Sequence, residues 1–133
     1  MRKTKFGAMA LAVSLMLAFT WSCGSGEKPP LLDREIIKSW LSNPEVIILD
    51  VRAPKDWNPS DKKIKGAVRQ DPDEVTTWAA NLPKNKKIVL YCQKEGTIVR
   101  VARKLNDLGF NQVLALKGGW SEWEKAGYPT EPK

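Results

Sequence analysis

Apolar and polar positions fall into blocks along the chain, and the blocks switch between a helical and an extended pattern. An uncharged stretch from Phe6 to Phe19 comes first, followed by a segment containing Gly24-Ser25-Gly26. Ile36, Ile37, Trp40 and Leu41 share one face of a helix predicted from Asp33, its N-cap candidate, to about Ser42, where Asn43-Pro44 breaks it. Val46-Ile47-Ile48-Leu49 is a continuous, β-branched run of the kind that suits a strand buried on both faces. The stretch from Ala53 to Lys65 is polar, contains Pro54, Asn58-Pro59 and Asp61, and reads as a surface loop. Gly66-Ala67-Val68 reads as a short strand. Asp71-Pro72-Asp73-Glu74 then combines a capping carboxylate, a proline in the first turn and acids favourable to the helix dipole, predicting a helix to about Asn81.

Lys87-Ile88-Val89-Leu90-Tyr91 is a second buried strand, ending at Cys92. Ile98, Val101, Ala102, Leu105 and Leu108 recur at helical spacing between about Thr97 and Leu108, and Gly109 supplies the stop. Gln112 to Leu116 reads as a third strand. Gly118-Gly119 opens a last helix over about Trp120 to Lys125, ended by Gly127 and Pro129. Buried strands alternating with helices predict an α/β fold, a mostly parallel sheet covered on both faces.

The amino-terminal block belongs to targeting. Arg2, Lys3 and Lys5 precede the apolar stretch, which is too short to span a hydrocarbon core of about 30 Å that takes roughly 20 residues. The expected organisation is a signal peptide over residues 1–22, a flexible linker over 23–30 and one domain over 31–133, with an uncleaved anchor as the alternative. Ala18-Phe19-Thr20-Trp21-Ser22-Cys23-Gly24-Ser25-Gly26 resembles a bacterial lipoprotein signal, although Thr20 stands where a Leu is usual. The resemblance implies lipidation of Cys23, export, and attachment to the periplasmic or envelope side of a membrane. Simple cleavage and release, or a disulfide between Cys23 and Cys92, rank behind it.

Composition narrows the chemistry. The chain has no histidine, which excludes Ser-His-Asp triads, Cys-His dyads and histidine-ligated metals. Two cysteines make neither a structural zinc site nor a disulfide framework. No metal and no organic cofactor is expected. The net charge of +7 owes three units to Arg2, Lys3 and Lys5. No basic stripe with interleaved aromatics remains, so nucleic acid is not an expected partner, whereas small anions are.

Ligands of open α/β sheets bind beyond the carboxyl ends of the strands, which is where Cys92 stands. The loop Gln93-Lys94-Glu95-Gly96-Thr97 separates it from a helix start, so loop N–H groups and the positive helix end can surround one sulfur atom. Such surroundings are expected to favour the thiolate, whose parent thiol has a free pKa of about 8.5. They suit a persulfide or an anionic donor equally. Lys94 and Arg100 add positive charge nearby, and Glu95 opposes it. The bland alternative is an inert buried thiol.

Four pieces in order resemble the rhodanese family of sulfurtransferases: Leu49-Asp50-Val51-Arg52, Ile64-Lys65-Gly66-Ala67-Val68, Val89-Leu90-Tyr91-Cys92 with its loop, and Leu116-Lys117-Gly118-Gly119-Trp120 through Trp123, Gly127, Tyr128 and Pro129. The resemblance implies a five-stranded, mostly parallel sheet flanked by helices. It places Cys92 at the catalytic position, where the family's cysteine takes the outer sulfur of a donor such as thiosulfate and passes it, from a persulfide, to a thiol or cyanide-like acceptor. Gln93, Lys94, Glu95, Gly96 and Thr97 match the loop that binds that sulfur. Asp50 and Arg52 match a motif near the site, and the preferred reading is a supporting ion pair that pins a loop. Gly118-Gly119 is read as a tight turn.

The chain departs from the family pattern as well. Thr97 stands where many active members have Arg, Glu95 and Gly96 replace the common small residues, and Lys63-Ile64-Lys65 replaces the usual His before the Gly-Ala pair. Losing a fixed guanidinium weakens binding of a dianion, and Lys94 offers only a point charge in compensation. A cysteine phosphatase needs an Arg after five intervening residues, and that position is Ile98. A thiol-disulfide redox role lacks a second nearby cysteine. Trp40, Trp78, Trp120 and Trp123 read as packing residues, and Trp57 as a loop anchor rather than a wall of the substrate mouth. The expectation is an exported sulfurtransferase, with a non-catalytic binding or sulfur-carrier module as the alternative.

Overall fold

The computed structural model describes residues 27–133. Cys23 and the expected signal segment lie outside the described residues. The elements are β1 (Leu31–Leu32), α1 (Arg34–Trp40), β2 (Val46–Asp50), α2 (Pro54–Trp57), β3 (Lys62–Ile64), β4 (Val68–Arg69), α3 (Val75–Ala79), β5 (Lys87–Tyr91), α4 (Ile98–Asp107), β6 (Val113–Leu116), α5 (Gly119–Lys125) and β7 (Thr130–Pro132). Five strands form one sheet in the order β1-β6-β5-β2-β4, and every pairing in it is parallel. A separate antiparallel ribbon joins β3 to β7.

The unbroken apolar run of β5 follows from its central place. Ile88 and Leu90 point into a core with Val101, Ala102 and Leu105 of α4 and Trp78 of α3. Val89 and Tyr91 point the other way, to Ile37 of α1 and Trp120 and Trp123 of α5. Period-two side chains must be apolar on both sides when both faces are covered, so alternation disappears from the sequence. Each such side chain stabilises the fold by roughly 1.5–3 kcal/mol, which fixes the sheet and therefore the place where β5 ends.

Several boundaries differ from the sequence expectation. Residues 53–65 are not a bare loop: Pro54 starts the short helix α2, and Lys62–Ile64 pairs with Thr130–Pro132. The charged β3 escapes notice because its partner is a three-residue strand at the far end of the chain, joined further by Lys63 Nζ to Glu131 at 3.2 Å. The strand expected at 66–68 is Val68–Arg69, since the chain first turns with Ala67 N–H donating to the Ile64 carbonyl at 2.9 Å. Helix α3 begins only at Val75. The Asp71 carboxylate accepts the Asp73 N–H at 2.9 Å, and this local turn competes with the helix that the same residues were expected to open. Asp33 flanks α1 as expected, but its carboxylate makes no capping bond. At the other edge, Pro29 is buried and the Pro30 carbonyl accepts Ala115 N–H at 2.9 Å, so the chain is already packed before β1 begins.

Candidate active site

Cys92 is the first residue beyond β5, 3% exposed and a free thiol. The next strand over carries the pairing one step further, with Val51 N–H donating to the Tyr91 carbonyl at 2.9 Å, so Cys92 leaves the sheet in a fixed direction. The chain then curls through Gln93–Thr97 into α4. Gln93 and Thr97 are half-buried, and Lys94, Glu95 and Gly96 are exposed. The backbone N–H groups of Thr97, Lys94 and Ile98 favour the ionised form of the sulfur.

Burial outweighs them. Desolvation pushes the Cys92 thiol above its ordinary range, and the charge of Asp56 in α2 adds to the same direction. This corrects the expectation of a thiolate favoured at rest. Sequence spacing shows the amides but not the depth of the pocket, and the loss of water proves the larger effect. Arg100 is corrected as well. Its guanidinium turns to the α3 turn, with Nη1 at 2.8 Å from Asp73 and 3.1 Å from the Pro72 carbonyl, so its charge is answered there.

Helix α5 holds the loop from behind. Trp120 N–H donates to the Cys92 carbonyl at 2.8 Å and Ser121 N–H to the Gln93 carbonyl at 3.1 Å, while Gln93 Nε2 donates to Ser121 Oγ at 3.1 Å. The Cys92 and Gln93 carbonyls are thus both held by α5. The close approach dictates a glycine. Gly119 has φ +62°, and a Cβ there would lie within 3 Å of the carbonyl oxygens of Lys94, Cys92 and Gln93. The expected tight turn at Gly118-Gly119 is thus also the seat of the cysteine loop. Its structural signature in the sequence was the Gly pair itself, but the partner carbonyls were not legible.

Beside the loop, Asp50 and Arg52 form the supporting ion pair that was expected. Both are fully buried, with Arg52 Nη2 at 2.7 Å and Nε at 3.0 Å from Asp50 Oδ2, and Nη2 at 2.9 Å from the Lys62 carbonyl. Two members of this network were missed. Tyr91 donates its hydroxyl to Asp50 Oδ2 at 2.6 Å and accepts Ile64 N–H at 3.1 Å; burial first, then the Asp50 charge, raise its pKa. Arg69 donates to the Asp50 carbonyl at 3.2 Å. The Arg52 guanidinium lies 4.6 Å from the Trp120 ring centroid and 5.1 Å from that of Trp57. Trp57 also meets Arg69 at 4.9 Å and Lys133 at 4.4 Å, in keeping with a loop anchor. Tyr91 could have been found from its place at the carboxyl end of a buried strand, where a hydroxyl must find a partner.

The family model for the Rhodanese-like domain matches residues 33–126. A protein of Allochromatium vinosum named as a sulfurtransferase is 25% identical over 99 residues, covering 74% of this chain and 91% of that protein. A chloroplastic thiosulfate sulfurtransferase of Arabidopsis thaliana is 26% identical over 93 residues, covering 62% of this chain and 78% of its own. Among solved structures, the rhodanese-like domain of an Anabaena protein aligns with TM-score 0.67 and 31% identity, covering 78% of this chain and 80% of that domain. A Rhodopseudomonas palustris protein of unknown function, described as a possible tyrosine phosphatase, aligns equally well at TM-score 0.67 with 25% identity, covering 77% of this chain and 85% of that one.

Proposed function

The chain belongs to the rhodanese-like domain family, and from that premise we propose that it is a sulfurtransferase that carries sulfur on Cys92. The Cys92 thiolate attacks the outer sulfur of a sulfane donor, and a new S–S bond forms as the donor's S–S bond breaks. Thiosulfate leaves as sulfite and a persulfide or polysulfide leaves as the shorter thiolate. The outer sulfur of the Cys92 persulfide then passes to a thiol or cyanide-like acceptor, which restores the thiolate. The observation that carries this reading is the set of three backbone amides, from Lys94, Thr97 and Ile98, that favour the anionic form of the Cys92 sulfur at the end of β5. An amide-lined loop of this size suits one anionic sulfur. The phosphatase reading attached to one structural neighbour fits less well, because the position where a phosphate-gripping Arg would stand is the buried Ile98.

Intact mass after exposure to polysulfide or thiosulfate tests the proposal. A gain of one sulfur (about 32 Da) is expected, absent in Cys92→Ser. A second reading, a sulfur carrier without turnover, is favoured by the burial of Cys92 and its raised pKa. Stoichiometric loading with negligible multiple turnover selects it. We also propose, from the basic start, the short apolar stretch and the residues around Cys23, that the chain is exported and tethered by a lipid on Cys23. The mass of the mature amino terminus tests that separately.

A further inference from the structure

Between Gln93 and Thr97 the loop is thinly held. Lys94, Glu95 and Gly96 are exposed, and a Cβ built on Gly96 meets nothing within 4 Å. Among the described residues, this arc makes one side-chain hydrogen bond: Glu95 Oε1 accepts Gly118 N–H at 3.0 Å. Gly118 is left-handed, at φ +79°, and sits in the turn that leads into α5. The Glu95 carboxylate lies in a recess shared with the cations Arg34 and Lys117 and with the acids Asp33, Glu35 and Glu122.

We propose that Glu95 is a positioning residue for the sulfur site: its carboxylate latches the outer arc of the loop to the Gly118 turn and so keeps the Thr97 amide turned to the sulfur. The inference rests on the reading of Cys92 as the sulfur carrier. It gives the acidic residue of the loop a purpose that a count of charges does not. Peptide 96–97 carries the Thr97 N–H, and the exposed Gly96 that opens it meets nothing within 4 Å on its Cβ side, so rotation of that peptide turns one of three donors away from an already buried sulfur. The bond from Ser121 N–H to the Gln93 carbonyl already fixes the plane that carries the Lys94 N–H, but it lies upstream of peptide 96–97 and does not restrain it. A bond from a charged acceptor is the stronger kind, which suits an exposed position where water competes.

The test compares the full-length wild type with Glu95→Ala and Glu95→Gln. Alkylation of Cys92 by iodoacetamide is followed against pH by peptide-resolved mass spectrometry, alongside hydrogen exchange of the 93–98 amides. Glu95→Ala is expected to raise the alkylation midpoint by about half a pH unit or more and to speed exchange of the Thr97 amide roughly tenfold, with the Lys94 amide unchanged. Glu95→Gln, which keeps an acceptor oxygen, is expected to show well under half of each effect. An unchanged or lowered midpoint in Glu95→Ala overturns the latch. So does a Glu95→Gln profile that matches Glu95→Ala, because charge and not the bond is then responsible. Neither readout needs sulfur transfer, so wild type that alkylates as described but never gains sulfur refutes the proposed function and leaves the latch standing.

Discussion

At the carboxyl end of β2, Asp50 and Arg52 are fully buried, and their charges are answered by each other, by Tyr91 and by the Lys62 carbonyl. At the carboxyl end of β5, one strand away, Cys92 is nearly as deep, and backbone amides are what favour the ionised form of its sulfur. The first arrangement is closed by mutual pairing, with Arg52 Nη1 buried and without a hydrogen-bond partner among the described residues. The second is open, because amides that favour an anion surround an atom whose burial disfavours one. A sulfur in that position gains from becoming a species that ionises more readily than a thiol, and a persulfide is such a species. The difference separates a buried ion pair from a buried thiol held between opposing influences.

Breaking the closed arrangement has the largest expected effect. Arg52→Met leaves Asp50 buried without its partner and is expected to cost about 3–5 kcal/mol in denaturant unfolding. Replacing both, as Asp50→Asn with Arg52→Met, is expected to recover part of that loss. Gly119→Ala comes next. A side chain in the left-handed region strains the backbone by about 1–2 kcal/mol, and the clash with the loop carbonyls adds to it, so stability and Cys92 alkylation are both expected to change. Cys92→Ser is expected to shift stability by about 1 kcal/mol or less while removing sulfur loading completely, as measured by intact mass. The smallest effect belongs to Arg100→Ala: the Asp73 pair is exposed, so neither the unfolding midpoint nor Cys92 reactivity is expected to move measurably.

The same contrast explains what was legible beforehand. Strands β2, β5 and β6 stand out as apolar runs because both faces of the sheet are covered, and α4 shows its helical period because one face packs on that sheet. Cys92 at the end of β5 follows directly, as does its loop, and an ion pair between Asp50 and Arg52 is readable from two opposite charges bracketing Val51 just beyond β2. Short elements held by distant partners are not readable. Strand β1 has two residues, and β3 is Lys-Lys-Ile paired with Thr-Glu-Pro. Arg100 was placed near the sulfur by distance along the chain, whereas the helix face it occupies directs it to Asp73. The sign of the Cys92 shift differs for another reason: amide donors can be counted along the chain, but the desolvation that opposes them depends on Val51, Leu90, Ile98 and the rest of the core cluster that contains Cys92.

The most direct test is titration of the Cys92 thiol in the wild-type protein, through its alkylation rate against pH. Burial disfavours the thiolate, so the reactive fraction is small at neutral pH, and the rate should keep rising through and beyond the free-thiol value of about 8.5. A rate that levels off well below that value would contradict the account, since it would mean that the amides outweigh the loss of water.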